Sequence, residues 1–126
     1  WVLVGDHPFF NETLYSKIQK VLPEPYVTSR IYFNRYKPGV DGCLHRDGVD
    51  LTALIYVSDY DKEFGGVTQF YENDLNQIFV PPITNRLVIF DSEILHKGFG
   101  FSHQWNPHRI TLAFKLKKDY NKENDN

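Results

Sequence analysis

Arg109-Ile110-Thr111-Leu112-Ala113-Phe114-Lys115-Leu116 reads as a strand whose two faces need different surroundings. Residues i and i+2 of an extended chain share a face. Ile110, Leu112, Phe114 and Leu116 therefore form an apolar row, and Arg109, Thr111, Ala113 and Lys115 form the other. The apolar row needs a cover. Upstream, Phe10, Leu14, Ile18, Val21 and Leu22 recur at helical spacing until Pro23 and Pro25 stop the pattern, and that amphipathic helix can supply it. The polar row then faces the interior of a β-fold, where a guanidinium is costly unless an anion meets it.

Other extended runs lie at 27–36, 51–57, 67–71, 77–80 and 86–91, most of them rich in Val, Ile, Tyr and Phe. Lys37-Pro38-Gly39, Asp41-Gly42, Gly65-Gly66 and Pro81-Pro82 separate them. Short strands, many aromatics and one or two covering N-terminal helices describe a mainly β jelly roll better than a parallel α/β sheet. With 126 residues the chain is expected to be a single domain, spanning 1–118, with a polar C-terminal tail over 119–126. No internal repeat is present. Because it opens on Trp1 rather than Met, the sequence is expected to be a trimmed chain, which leaves a leader ahead of it open.

The net charge of −2, with both signs mixed along the chain, gives no electrostatic footprint for nucleic acid or an anionic membrane. No run approaches the length of a membrane span. Cys43 is the single cysteine, so no internal disulfide can form and a reducing, cytoplasmic location is expected.

Against that plain background stands His45-Arg46-Asp47, followed downstream by His96 and Arg109. In an extended segment His45 and Asp47 point the same way and can offer an imidazole and a carboxylate to one ion. His96, after the apolar strand Leu87 to Phe90, can bring a second imidazole on a rigid element. Two nitrogens and a carboxylate oxygen on one side of a metal leave the other side open, as in the facial triad of non-heme Fe(II) oxygenases. Of the other histidines, His7, His103 and His108 are expected to be structural or exposed, with His103 the substitute should His96 fail.

The stretch from Tyr36 to Leu116 resembles the 2-oxoglutarate- and Fe(II)-dependent dioxygenases, and within them the prolyl 4-hydroxylase-like group. The resemblance is carried, in order, by Tyr36-Lys37-Pro38-Gly39, His45-Arg46-Asp47, Leu54-Ile55-Tyr56-Val57-Ser58, Phe64-Gly65-Gly66-Val67-Thr68-Gln69-Phe70, Leu87-Val88-Ile89-Phe90, His96 and Arg109-Ile110-Thr111. It implies a double-stranded β-helix, iron held by His45, Asp47 and His96, and 2-oxoglutarate consumed with dioxygen to give succinate and carbon dioxide, with ascorbate as reductant. It further implies that Arg109 meets the distal carboxylate of 2-oxoglutarate, with Tyr36, Tyr56 and Thr111 lining the same pocket. One departure stands out: Arg109 lies farther past His96 than the family spacing puts it, and the extra residues fall in the loop 100–107.

The implied substrate is a prolyl residue in a peptide or protein, or else a small molecule, turned over by a monomer or weak oligomer. Two alternatives remain. An AlkB-like nucleic-acid demethylase has a similar final strand, but Lys115 stands where that group has a second arginine, and the net negative charge argues against a phosphate-backbone partner. A non-catalytic cupin-like binding module would explain the strands and aromatics but not the positions of Asp47 and Arg109. The aromatic loop with Phe99, Phe101 and Trp105 is either a wall of a substrate groove or a cap.

Overall fold

The computed structural model describes residues 1–121, so most of the expected polar tail, 122–126, lies outside the described residues. Among the described residues eight strands run in the order β1 (Val2–Leu3), β2 (Tyr26–Tyr36), β3 (Leu51–Tyr56), β4 (Thr68–Asn73), β5 (Asn76–Val80), β6 (Leu87–Asp91), β7 (Leu95–Gly98) and β8 (Arg109–Lys118). They form two antiparallel sheets, ordered β1-β2-β8-β3-β6 and β5-β4-β7. The arrangement is mainly β and consistent with a jelly roll. The described strands do not close into a barrel.

The strand with two unlike faces, β8, occupies the centre of the larger sheet, which is the position where both faces are covered. Ile31 of β2 and Ala53 of β3 flank Phe114 on its apolar side, and Leu112, Phe114 and Leu116 are almost fully buried there. Tyr15 and Ile18 close over this cluster, with Phe10, Leu14 and Leu22 packed at its margin. Burying a side chain the size of Phe114 or Leu116 contributes roughly 1.5–3 kcal/mol each, so this row anchors the sheet.

The cover is thinner than the one or two helices expected. It is a single helical segment in which a π-type turn, Phe9–Leu14, runs into a short α-helix, α1 (Tyr15–Gln19). Val21 is exposed and Leu22 only half-buried, because the chain must turn before Pro23 and Pro25 and the helix has ended by then. The expected strands appear with ends moved by one or two residues, while β1 and β7 were not foreseen. β7 is short, and Leu95-His96-Lys97-Gly98 shows neither a β-branched residue nor a run of apolar ones. No helix among the described residues is long and apolar enough to cross a membrane.

Tyr15 ties the helix to the sheet. Its hydroxyl donates to the Tyr26 carbonyl at 2.7 Å, and Gln19 bonds around it to Glu24 and to the Tyr26 amide. Burial, together with the negative charge of Asp119, pushes its phenol up to about 12. The folded state thus holds this proton more tightly than the unfolded chain, whose phenol titrates near its ordinary value of about 10. The contribution is complete below pH 10 and is lost as pH rises toward 12. Urea unfolding as a function of pH should show stability falling across that window, with a shallower fall in Tyr15→Phe. At neutral pH the same variant should lose about 1–3 kcal/mol, since a buried carbonyl is left without its donor.

Candidate metal centre

His45 and His96 are brought together by the backbone. They face each other as an isolated antiparallel bridge, with the His45 amide donating to the His96 carbonyl at 3.0 Å and the His96 amide donating back at 2.9 Å. Side chains of such a pair lie on one face, and the two imidazole rings are 4.3 Å apart, centre to centre. The Asp47 amide donates to the Ser92 carbonyl, which holds the rest of the motif against the turn leading into β7. Ligand atoms of His45, Asp47 and His96 all lie within 4.8 Å of one another.

Each imidazole has its tautomer set. His45 Nδ1 lies 2.8 Å from the Cys43 carbonyl and His96 Nδ1 lies 2.9 Å from the Ile94 carbonyl. A carbonyl only accepts, so each Nδ1 carries the proton of a neutral ring and each Nε2 presents a lone pair. Those two Nε2 atoms stand 3.3 and 3.5 Å from the Asp47 carboxylate. Burial among Phe70 and Phe90 pushes the His96 imidazole down from its usual value, more than the Ile94 carbonyl and Asp47 raise it. Lone pairs aimed at a carboxylate repel it unless a cation lies between, so this donor set fits a divalent metal.

Asp47 is held from its other side. Oδ2 accepts from Lys115 Nζ and from Thr52 Oγ1, each at 2.6 Å, and Ser92 Oγ stands 3.0 Å behind the threonine. Burial alone would raise the Asp47 carboxyl, but the hydrogen bonds from Lys115 and Thr52 and the charge of Lys115 outweigh it and keep the group below the usual carboxylate range. The side chain of Lys115 is itself only 6% exposed.

A cavity opens beside the triad, lined by Tyr32, Asn34 and Tyr36 of β2, by His45 and His96, and by Arg109, Thr111 and Lys115 of β8. Arg109 is 4% exposed and uses two of its donors on the protein: Nε to the Gly66 carbonyl and Nη2 to Thr68 Oγ1, both at 2.7 Å. Tyr36 and Tyr56 lie 5.5 and 5.6 Å from its guanidinium. Among the described residues no carboxylate pairs with it. Burial pushes the guanidinium down from its usual value, yet arginine stays charged in proteins, so a cation without an anion faces the cavity.

Of the residues expected at the pocket, Tyr36, Arg109 and Thr111 line it. Tyr56 is fully buried behind Arg109, its hydroxyl 2.7 Å from Thr68 Oγ1, and is not part of the lining. His103 is exposed and stands apart from the triad. The loop 100–107 acts as a packing cap. Phe101 and Trp105 stack edge to face, Trp105 stacks on Phe64, and the Phe101 ring covers Gly66 so closely that a Cβ there would lie 2.5 Å away. Gly66 also has a φ of +81°, and through Phe101 this loop bears on the residue whose carbonyl positions Arg109.

Sequence reasoning missed Thr52, Thr68, Tyr32 and Asn34. For three of them a signal existed: alternation back from Tyr36 gives Asn34 and Tyr32, and alternation back from Tyr56 gives Leu54 and Thr52.

No protein-family model matches the sequence, and no curated protein matches it. Solved structures do. A viral collagen prolyl hydroxylase from Paramecium Bursaria Chlorella virus-1, in complex with 2-oxoglutarate, superposes with a TM-score of 0.73 at 20% identity, over 94% of this chain and 78% of that one. An oxidoreductase of the 2OG-Fe(II) oxygenase family from Burkholderia pseudomallei gives 0.66 at 14% identity, over 79% and 48%. A prolyl hydroxylase from Trichoplax adhaerens, in complex with a hypoxia inducible factor oxygen degradation domain peptide, gives 0.63 at 18%, over 91% and 56%. This chain thus spans only about half the length of the latter two.

Two substitutions test the local account. Lys115→Met leaves Asp47 buried without its counter-charge and should cost about 3 kcal/mol in urea unfolding of the metal-free protein. Gly66→Ala combines a strained φ with a clash against Phe101 and should cost about 1–3 kcal/mol, with loss of the Trp105 environment read by fluorescence. The chain shares the fold of the solved 2OG-Fe(II) oxygenases and prolyl hydroxylases.

Proposed function

We propose that this chain is an Fe(II)- and 2-oxoglutarate-dependent dioxygenase that hydroxylates a C–H bond, with a prolyl residue of a peptide or protein as substrate. One observation carries the reading: three ligand atoms converge beside a cavity that also holds a buried guanidinium with no anion of its own. The shared fold, and neighbours whose complexes hold 2-oxoglutarate or a peptide, support it.

In this reading His45, Asp47 and His96 are the metal ligands. A ferrous ion held there would supply, with 2-oxoglutarate and dioxygen, the oxidising chemistry for hydroxylating substrate with release of succinate and carbon dioxide. The residues of the chain do the placing. Arg109 receives the distal carboxylate on the donors not used by Gly66 and Thr68, in the two-pronged manner that suits a guanidinium. Gly98 leaves room for it, since a Cβ there would stand 3.1 Å from Arg109 Nη1. Thr111 and Tyr36 offer hydroxyls along the cavity, and Tyr56 steadies Arg109 through Thr68. Lys115 and Thr52 keep Asp47 ionised and fixed at one oxygen, leaving the other toward His45. Ascorbate as reductant, a cytoplasmic setting and a single domain ending near Lys118 belong to the same proposal.

Anaerobic addition of Fe(II) and 2-oxoglutarate should give a weak visible charge-transfer band that disappears on exposure to air. His45→Ala and Asp47→Ala should lose iron and succinate formation together. Arg109→Gln should keep iron but raise the KM for 2-oxoglutarate roughly 100-fold, the loss expected for a buried charge-assisted pair. Absence of both iron and band from the wild-type protein would favour a non-catalytic binding module.

A further inference from the structure

The candidate centre opens in two directions. The inner cavity, with Arg109, and an outer groove share Tyr32, His45 and Lys115. The groove is lined further by Arg30, Arg46 and Lys117, all exposed. Asp47 is its one acid, and that carboxylate is buried and already bonded to Lys115 and Thr52. No carboxylate pairs with Arg30, Arg46 or Lys117 among the described residues.

The backbone places these cations together. β2 bulges between Thr28 and Arg30, which sets Arg30 opposite Lys115. Cross-strand partners share a face, and like charges there repel. Lys117 follows Lys115 two residues on, along the same face of β8. A chain of net charge −2 has concentrated cations beside one site at a local cost, and such conflicts between local preference and the fold concentrate at functional surfaces.

The positive stretch is also short. Asp6 shares the next depression with Ser29 and Arg30, and beyond Val49 the surface is lined by Glu24, Asp50, Asp91 and Glu93, with Lys118 as the one cation there, paired with Glu24. A nucleic-acid backbone needs a longer run of cations. The available length suits one or two carboxylates.

We propose that the groove between Arg30, Arg46 and Lys117 binds an acidic side chain adjoining the reacting residue, so that the substrates are peptides carrying Asp or Glu beside the target. The inference rests on the oxygenase reading of the neighbouring site but is tested by binding, which that reading does not require. Short fluorescent peptides with a central proline flanked by Glu, Gln or Lys, and a short single-stranded oligonucleotide, are titrated with the purified protein and followed by anisotropy. The Glu peptide should bind roughly tenfold more tightly than the Gln peptide and the Lys peptide most weakly, with the gap narrowing as salt is added. Arg30→Glu combined with Lys117→Glu should reverse the order. Circular dichroism checks that this variant folds, and Arg30→Gln with Lys117→Gln, expected to abolish the preference, replaces it if it does not. Equal binding of the Glu and Lys peptides, no binding of any peptide, or tighter binding of the oligonucleotide overturns the proposal. Charge-selective binding without 2-oxoglutarate turnover strikes the oxygenase reading alone, and turnover with charge-blind binding strikes this one alone.

Discussion

A buried charge must find a partner, and β8 buries two on one face. Lys115 finds Asp47 within the chain, and among the described residues Arg109 finds only carbonyl and hydroxyl acceptors. Most of the local architecture follows from meeting those two demands. Gly66, in the turn into the smaller sheet, and Thr68, at the start of β4, reach across to Arg109, and Tyr56 of the larger sheet bonds to the same threonine. The contact between the sheets is therefore polar at this point, while the opposite face of β8 is closed by an apolar core. One strand thus separates a region that provides stability from a region available for chemistry.

The triad depends on a second constraint, a pair of backbone hydrogen bonds between His45 and His96. Their side chains are oriented by further bonds to main-chain carbonyls rather than to other side chains. Such an arrangement would need no rotamer search to bind a metal, because both Nε2 atoms already face Asp47. The loop after β7 extends the same logic to the far end of the cavity. Phe101 presses on Gly66, and the Gly66 carbonyl fixes the Arg109 fork, so the loop that separates His96 from Arg109 in sequence also helps to hold the arginine in place.

Much of this was legible in the sequence, for identifiable reasons. Strict alternation in β8 gave its two faces and hence the inward direction of Arg109, Thr111 and Lys115, all of which line the cavity. Helical spacing from Phe10 to Ile18 gave the cover. The short π-type turn was not legible, because the positions of apolar residues tolerate either helix geometry. β7 was missed because its pairing is decided by partners, His45 and β4, that no local pattern in Leu95-His96-Lys97-Gly98 announces. The ion pair of Lys115 with Asp47 was missed for a similar reason: facing inward can be read from one strand, but meeting a carboxylate far off in sequence cannot.

The central claim is that the two imidazoles and the carboxylate share one metal ion. A crystal soaked anaerobically with Fe(II), with anomalous data collected at the iron edge, tests it most directly. The account predicts a single strong peak within bonding distance of His45 Nε2, His96 Nε2 and an Asp47 oxygen, with Lys115 still on the other carboxylate oxygen. A peak elsewhere, or none between the three side chains, would contradict it.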